Sequence, residues 1–195
     1  MTEPERLALF VDSANMDHAA KRVGFYIDWK KAVEHFARGK RLYTAFFYIG
    51  VEGPLGQLKS EKQRFLDFLS YNGWTIRTKH FKTLYDGATG EEYQKANLDI
   101  EVVLDMVNTA DNFDTAILFS GDGDFERAVE LLRSKGKKVY VVATRGMIAR
   151  ELAYVADKPI FWLEELAPFI AREDRVPAVA AARGEFEFER VRPER

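Results

Sequence analysis

The run Leu7-Ala8-Leu9-Phe10-Val11 restricts the fold more than any other feature: five apolar residues, no polar alternate, and an abrupt end on Asp12. A strand with one wet face alternates apolar and polar side chains. An unbroken run instead marks a strand buried on both faces, as in a parallel sheet. Parallel neighbours need crossovers of a dozen or more residues, so helices must follow and cover both faces. The remaining sequence supplies them. Asp28 reads as an N-cap opening a helix through Trp29, Val33 and Phe36, which Gly39 closes. Residues 42–49 read as a second strand. Leu58, Phe65, Leu66 and Leu69 then recur at helical spacing until Gly73, and residues 74–81 read as a third strand.

Residues 83–95 are polar and irregular and read as a loop. Leu98, Val102, Val103, Met106 and Val107 mark one face of a helix over about residues 96–109. A buried strand at 116–119, a helix at 125–132, a strand at 139–143, a helix at 147–155 and a short strand at 160–162 complete the alternation. Strands alternating with helices predict one α/β domain over residues 1–170, a mainly parallel sheet with helices on both faces. Residues 171–195 turn Ala-rich and charged and read as a tail, in which Phe186 and Phe188 alternate with glutamates.

At 195 residues the chain is long enough for a core that hides roughly 70% of the extended chain's surface. It contains no cysteine, which excludes disulfides, thiolate zinc sites and cysteine nucleophiles. No apolar run approaches the length of a bilayer span. Acids precede the first apolar stretch, the reverse of a secretory signal, so the expected location is cytoplasmic. Net charge is −2, but it is unevenly spread. From Lys21 to Lys82 there are 13 Lys and Arg against 5 acids; from Asp99 to Glu126 there are 8 acids and no base. From Arg127 to Lys158 there are 8 bases against 3 acids. An acidic block between basic ones is either a set of solvated faces or a cation site flanked by phosphate-binding surface.

In open α/β sheets, ligands bind beyond the carboxyl ends of the strands. Asp12 follows the first strand, within Asp12-Ser13-Ala14-Asn15. Ser120-Gly121-Asp122-Gly123-Asp124 follows the strand at 116–119, and Asp99 sits in the first turn of its helix. Carboxylates meeting at one mouth raise one another's pKa unless a counter-charge arrives. Mg²⁺ or Mn²⁺ supplies one through oxygen ligands, and can activate water for an in-line displacement at phosphorus. Each acid alone has a plainer reading: Asp99 as a match to the helix dipole, Asp122-Gly-Asp124 as a helix-capping turn. Rival motifs are absent. Glu126 stands where a dinucleotide fingerprint needs its third glycine, and no Gly-Lys-Ser/Thr phosphate loop or Gly-x-Ser-x-Gly elbow occurs. His18, His35 and His80 lack zinc spacing and read as surface or structural. Phe46, Phe47 and Tyr48 read as core. Tyr85 and Tyr93 are candidates for base stacking. Arg77, Lys79 and Lys82 suit either a phosphate backbone or the protection of an edge strand.

Three segments together resemble the NYN domain family, LabA-like branch, of the PIN-like nucleases: Phe10-Val11-Asp12-Ser13-Ala14-Asn15, Lys95-Ala96-Asn97-Leu98-Asp99 and Phe119-Ser120-Gly121-Asp122-Gly123-Asp124-Phe125. Lys137-Lys138-Val139 and Leu152-Ala153-Tyr154-Val155-Ala156-Asp157 extend the likeness over roughly residues 5–170. The resemblance implies a Rossmann-like (PIN-like) sheet and a metal-dependent ribonuclease site. By position it implies Asp12, Asp99, Asp122 and Asp124 as catalytic, Mg²⁺- or Mn²⁺-binding acids, with Asn15, Ser120 and Lys95 on the substrate side. Asp105 falls where relatives often carry an acid, but about 240° around the helix from Asp99. Asn97-Leu98 stand where the family usually has Gly-Val, which alters how the helix before Asp99 begins. The expected function is endonucleolytic hydrolysis of single-stranded RNA. The alternatives are a non-catalytic RNA-binding or regulatory protein-interaction module on the same fold, and a small-molecule phosphatase using the same pocket. Aromatic-rich β segments permit a homodimer without requiring one.

Overall fold

The computed structural model describes residues 3–85 and 92–172. Its first half runs β1 (Arg6–Asp12), α1 (Ser13–Val23), α2 (Trp29–Phe36), β2 (Arg41–Val51), α3 (Ser60–Tyr71) and β3 (Trp74–His80). A hairpin of β4 (Lys82–Tyr85) and β5 (Glu92–Lys95) leads to α4 (Asp99–Asn108). The second half runs β6 (Thr115–Phe119), α5 (Glu126–Ser134), β7 (Lys138–Ala143), α6 (Arg150–Val155), β8 (Phe161–Trp162) and α7 (Leu163–Ile170). Six strands form one sheet in the order β3-β2-β1-β6-β7-β8, and every neighbouring pair is parallel.

The unbroken apolar run of β1 has its explanation here. β1 lies between β2 and β6, and its side chains alternate between two cores. Leu7, Leu9 and Val11 pack with Met16, Trp29, Phe36, Leu69, Leu166 and Ile170 from α1, α2, α3 and α7. Ala8 and Phe10 pack on the other face with Val102, Met106, Val129, Leu132 and Leu152 from α4, α5 and α6. Phe10 is fully buried, stacked on Phe46 and set edge-on to Phe113. Removing such a ring costs about 3–5 kcal/mol.

From β1 the chain moves outward to β2 and β3; from β6 it moves the other way, to β7 and β8. The reversal between β1 and β6 is where a doubly wound sheet opens a crevice beyond its strand ends.

Two helices and the hairpin lie outside the elements predicted from the sequence. α1 is paved with small residues, and its buried side is Ser13, Met16, Ala19 and Ala20, too weak a stripe to stand out. It is held by its ends: the Asp12 carboxylate accepts from the Asn15 N–H, and Gly24, at φ 77°, closes it. α7 contains Pro168, which argues against a helix in sequence, yet Leu163, Leu166 and Ile170 are buried at helical spacing. Past it, Ala171 bridges to Ile27 and the Arg172 N–H donates to the Tyr26 carbonyl, so ordered pairing runs two residues into the expected tail. The remainder, with Phe186 and Phe188, lies outside the described residues. No helix among the described residues is long and apolar enough to cross a membrane.

The edge opposite the crevice is tied by Arg6, whose Nη2 and Nε meet Asp114 Oδ1 and Oδ2 at 2.7 and 3.1 Å. The Arg6 backbone N–H adds a third bond to Asp114 at 2.9 Å. These donors hold the Asp114 carboxyl down to about 2. A depressed carboxylate stabilises the fold above its unfolded pKa, about 3.9, and that contribution is lost as pH falls towards 2. Carboxyl NMR of the native chain is expected to place Asp114 near 2. In Arg6→Gln it should move back up towards the ordinary value; an Asp114 that titrates alike in both would refute the assignment.

Candidate active site

Three chain segments meet in the crevice between β1 and β6. Asp12 ends β1 and caps α1, its Oδ1 accepting from the Asn15 N–H at 3.1 Å. Ser120 follows β6, fully buried. Its hydroxyl donates to Asp12 Oδ2 at 3.0 Å and accepts from the Asp122 N–H at 3.1 Å. Asn15 Oδ1 accepts from the Gly121 N–H at 2.9 Å, a second tie between the two strand ends. Asp122 Oδ1 in turn accepts from the Asp124 N–H at 3.0 Å, closing the one-turn 3₁₀ helix at 123–125.

The turn-capping reading of Asp122 is therefore correct as local chemistry, and it leaves Oδ2 uncommitted. Ser120 requires a correction. Expected on the substrate side, it has no exposed surface and commits its hydroxyl to two partners, so its part is to position Asp12 and Asp122.

Gly121 is fixed by steric contact. A Cβ there would lie 2.0 Å from the Met147 carbonyl oxygen, and the Gly121 carbonyl accepts from the Ala149 N–H at 2.8 Å. The loop 144–149 thus presses the Asp122–Asp124 turn into place, which delays α6 to Arg150 rather than the predicted 147.

Asp99 arrives on the first residue of α4. Asn97 Oδ1 accepts from the Asp99 N–H at 2.9 Å, so Asn97-Leu98 start this helix with a side-chain acceptor. Carboxylate oxygens of Asp99, Asp122 and Asp124 all lie within 4.8 Å of one another. Asp12 stands just outside that trio, tied back by Ser120 and Asn15.

Burial pushes the Asp12 carboxyl up, and the charges of Asp99 and Asp122 add to it. Burial likewise raises Asp99, with Asp122 and Asp124 contributing and Lys95 opposing. This is the conflict of like charges at one mouth.

The acidic block divides on this point. Glu101 is paired with Lys79 at 2.7 Å, Asp105 with Arg77 at 2.8 Å and the Tyr48 hydroxyl at 3.1 Å, and Asp114 with Arg6. Those pairs are the plain reading of the charge blocks, basic β3 against acidic α4. They also occupy Arg77 and Lys79, two of the three bases expected along a phosphate backbone. Asp99, Asp122 and Asp124 have no Lys or Arg at ion-pair distance among the described residues. Three hard oxygen donors, uncompensated and without nitrogen or sulfur ligands, fit Mg²⁺ or Mn²⁺.

The trio borders two hollows. One, of 210 Å³, is lined by Asp12, Asn15, His18, Lys95, Asp99 and Asp122 among others. The second, with a floor of Ile100, Val103 and Leu104, is bordered by Asp99 and Asp124. His18, read as surface or structural from the sequence, lines the first hollow one turn beyond Asn15. Its place there depends on α1, which the sequence pattern did not reveal. Of the stacking candidates, Tyr85 is 69% exposed on β4; the side chain of Tyr93 lies outside the described residues.

The NYN domain matches residues 6–165 of this chain. The "Low amplitude and bright protein LabA" of Synechococcus elongatus is 43% identical over 175 residues, 88% of this chain and 91% of that protein. A crystal structure of a protein of unknown function from Vibrio parahaemolyticus superposes with a TM-score of 0.72 at 23% identity, covering 87% of this chain and 98% of the other. At that identity it speaks to the fold alone.

Proposed function

The chain belongs to the NYN domain family, a nuclease-type family, and from that premise we propose that it is a metal-dependent endoribonuclease acting on single-stranded RNA. The observation that carries this reading is the meeting of Asp99, Asp122 and Asp124 within 4.8 Å without a cation partner. Those three carboxylates would hold Mg²⁺ or Mn²⁺, which would offset most of the cluster's negative charge and lower the pKa of a water at the scissile phosphate. Asp12 adds negative charge beside the trio and fixes the Ser120 hydroxyl, which in turn fixes Asp122 through its N–H. Lys95, at the rim of the same hollow, meets the phosphate backbone as a point charge. His18 and Asn15 flank the path of the strand.

The test is cleavage of labelled single-stranded RNA with Mn²⁺ by the native chain and by Asp12→Asn, purified in parallel. Asparagine keeps an oxygen for the α1 cap, so the variant is expected to fold and to lose most of the activity. Equal activity in both would end the assignment. RNA binding without cleavage by either would make the chain a binding module instead.

The direction of the pH dependence follows from the raised carboxyls of Asp12 and Asp99. A group harder to ionise in the fold than in the unfolded chain favours folding at low pH and loses that contribution as pH rises through its folded pKa. Cation binding reverses the cost, because it favours the ionised form. The rise in thermal midpoint on adding Mn²⁺ is therefore expected to grow with pH above the ordinary carboxylate range. A shift that stays constant or shrinks over that window would contradict the site.

A further inference from the structure

The hairpin of β4 and β5 is rooted at the rim of the cleft. Gly50, near the end of β2, lines the 210 Å³ hollow, and the two roots of the hairpin close on it from both sides. A Cβ on Gly50 would lie 2.5 Å from the Phe81 ring and 2.9 Å from the Ala96 methyl. The Phe81 N–H donates to the Val51 carbonyl at 3.1 Å, and Lys62 lies over the Phe81 ring while its Nζ donates to the Gly50 carbonyl at 2.6 Å. A side chain at residue 50 would push the Phe81 ring or Ala96 out of its present place.

The first cross-strand pair above this root is Lys82 opposite Lys95. Residues directly opposite in an antiparallel pair put their side chains on the same face, about 4.5–5.5 Å apart at Cβ, and like charges there oppose pairing. Both lysines are exposed, and neither has a carboxylate at ion-pair distance among the described residues. Their neighbours Arg77 and Lys79 are each matched with an acid of α4, whereas the two lysines at the hairpin root are not. Lys95 also acts on Asp99 of the acidic trio through its charge. Among its described residues the hairpin adds nothing to either core, and it carries two like charges at its root, Lys95 within electrostatic reach of Asp99.

We propose that Lys82 and Lys95 form a two-lysine grip for the phosphate backbone of a single-stranded nucleic acid, on the nucleotides adjoining the one at the carboxylate trio. The inference rests on the nuclease reading and extends it to the hairpin, assigning Lys82 a role and giving Lys95 a partner. The phosphate anion between them removes the repulsion that the empty pair carries. Lysine suits this role as a compact charge that does not read the base, so the grip is independent of sequence.

The test is fluorescence anisotropy of a labelled oligouridine on the full chain in EDTA, where cleavage is blocked, across a salt series. Each phosphate contact on a single strand adds about 0.7 to the slope of log affinity against log salt. Lys82→Gln and Lys95→Gln should each lower the slope by about 0.7 and the double variant by about 1.4. Lys135→Gln, at the far end of α5, should leave it unchanged. Lys82→Glu separates binding from folding. It creates an attractive pair with Lys95, so the thermal midpoint should hold or rise while RNA affinity falls further than in Lys82→Gln. Slopes equal to the native value in both single variants would overturn the lysine grip and leave the nuclease reading standing. A native chain with no RNA affinity at any salt would likewise overturn the grip, whereas the nuclease reading falls only if the native chain also fails to cleave RNA with Mn²⁺.

Discussion

Asp122→Asn is expected to lower Mn²⁺-dependent RNA cleavage by more than a hundredfold and to abolish the Mn²⁺-induced rise in thermal midpoint. The size follows from the place of Asp122 in the cluster. Residues one layer behind metal ligands cost about 10–100-fold when mutated, and the proposed function makes Asp122 a ligand itself. Its Oδ1 is committed to the Asp124 N–H, and Asn keeps that acceptor, so the turn at 123–125 should survive. One of its carboxylate oxygens lies within 4.8 Å of oxygens of Asp99 and Asp124. The variant therefore replaces a charged donor with a neutral amide and alters little else. Without the cation its midpoint should equal or exceed that of the native chain, because one repelling charge has gone. Cleavage within threefold of native would show that Asp122 holds no cation.

Gly121→Ala is expected to have an effect of similar size by a different route. The added methyl would lie 2.0 Å from the Met147 carbonyl oxygen, a rigid backbone atom that cannot rotate aside. Overpacking of this kind costs about 1–3 kcal/mol, and a chain this long loses about 2–4 °C for each. The loop 144–149 and the Asp122–Asp124 turn must separate, and with them the bonds Ala149 N–H to Gly121 and Gly121 N–H to Asn15. Asp122 and Asp124 then leave Asp99. The variant should fold with a midpoint several degrees lower and should lose both cleavage and the Mn²⁺ shift. Gly53→Ala, where nothing lies within 4 Å, is the matched control and should be near neutral in both. A Gly121→Ala chain with native activity would show that the packing of 144–149 does not set the site.

The central sheet was legible because β1 and β6 each present an unbroken apolar run, and burial on both faces leaves few other readings. The placement of Asp12 and Asp122 just past the ends of β1 and β6, at the topological reversal, was legible because those strands end where their apolar runs end. The pairing within the acidic block was not legible. Arg77–Asp105 and Lys79–Glu101 join β3 to α4, and the composition of either segment gives no sign of the register between them. The burial of Ser120 was not legible, because its hydroxyl is tied to Asp12, 108 positions away in the chain. α1 was missed because its buried side is Ser and Ala with one Met, and α7 because of Pro168. The hairpin was missed because β4 and β5 are short, outside both cores and without an apolar alternation. His18 lines the hollow beside the acids, and Lys82 faces Lys95, only through those elements, so both placements became visible with the fold.

The most direct test of the central claim is anomalous diffraction from crystals of the native chain grown with Mn²⁺. The expected result is a manganese peak among the carboxylates of Asp99, Asp122 and Asp124, absent from crystals of Asp99→Asn grown alongside. A map at saturating Mn²⁺ with no peak among those three carboxylates, or with the same peak in Asp99→Asn, would contradict it.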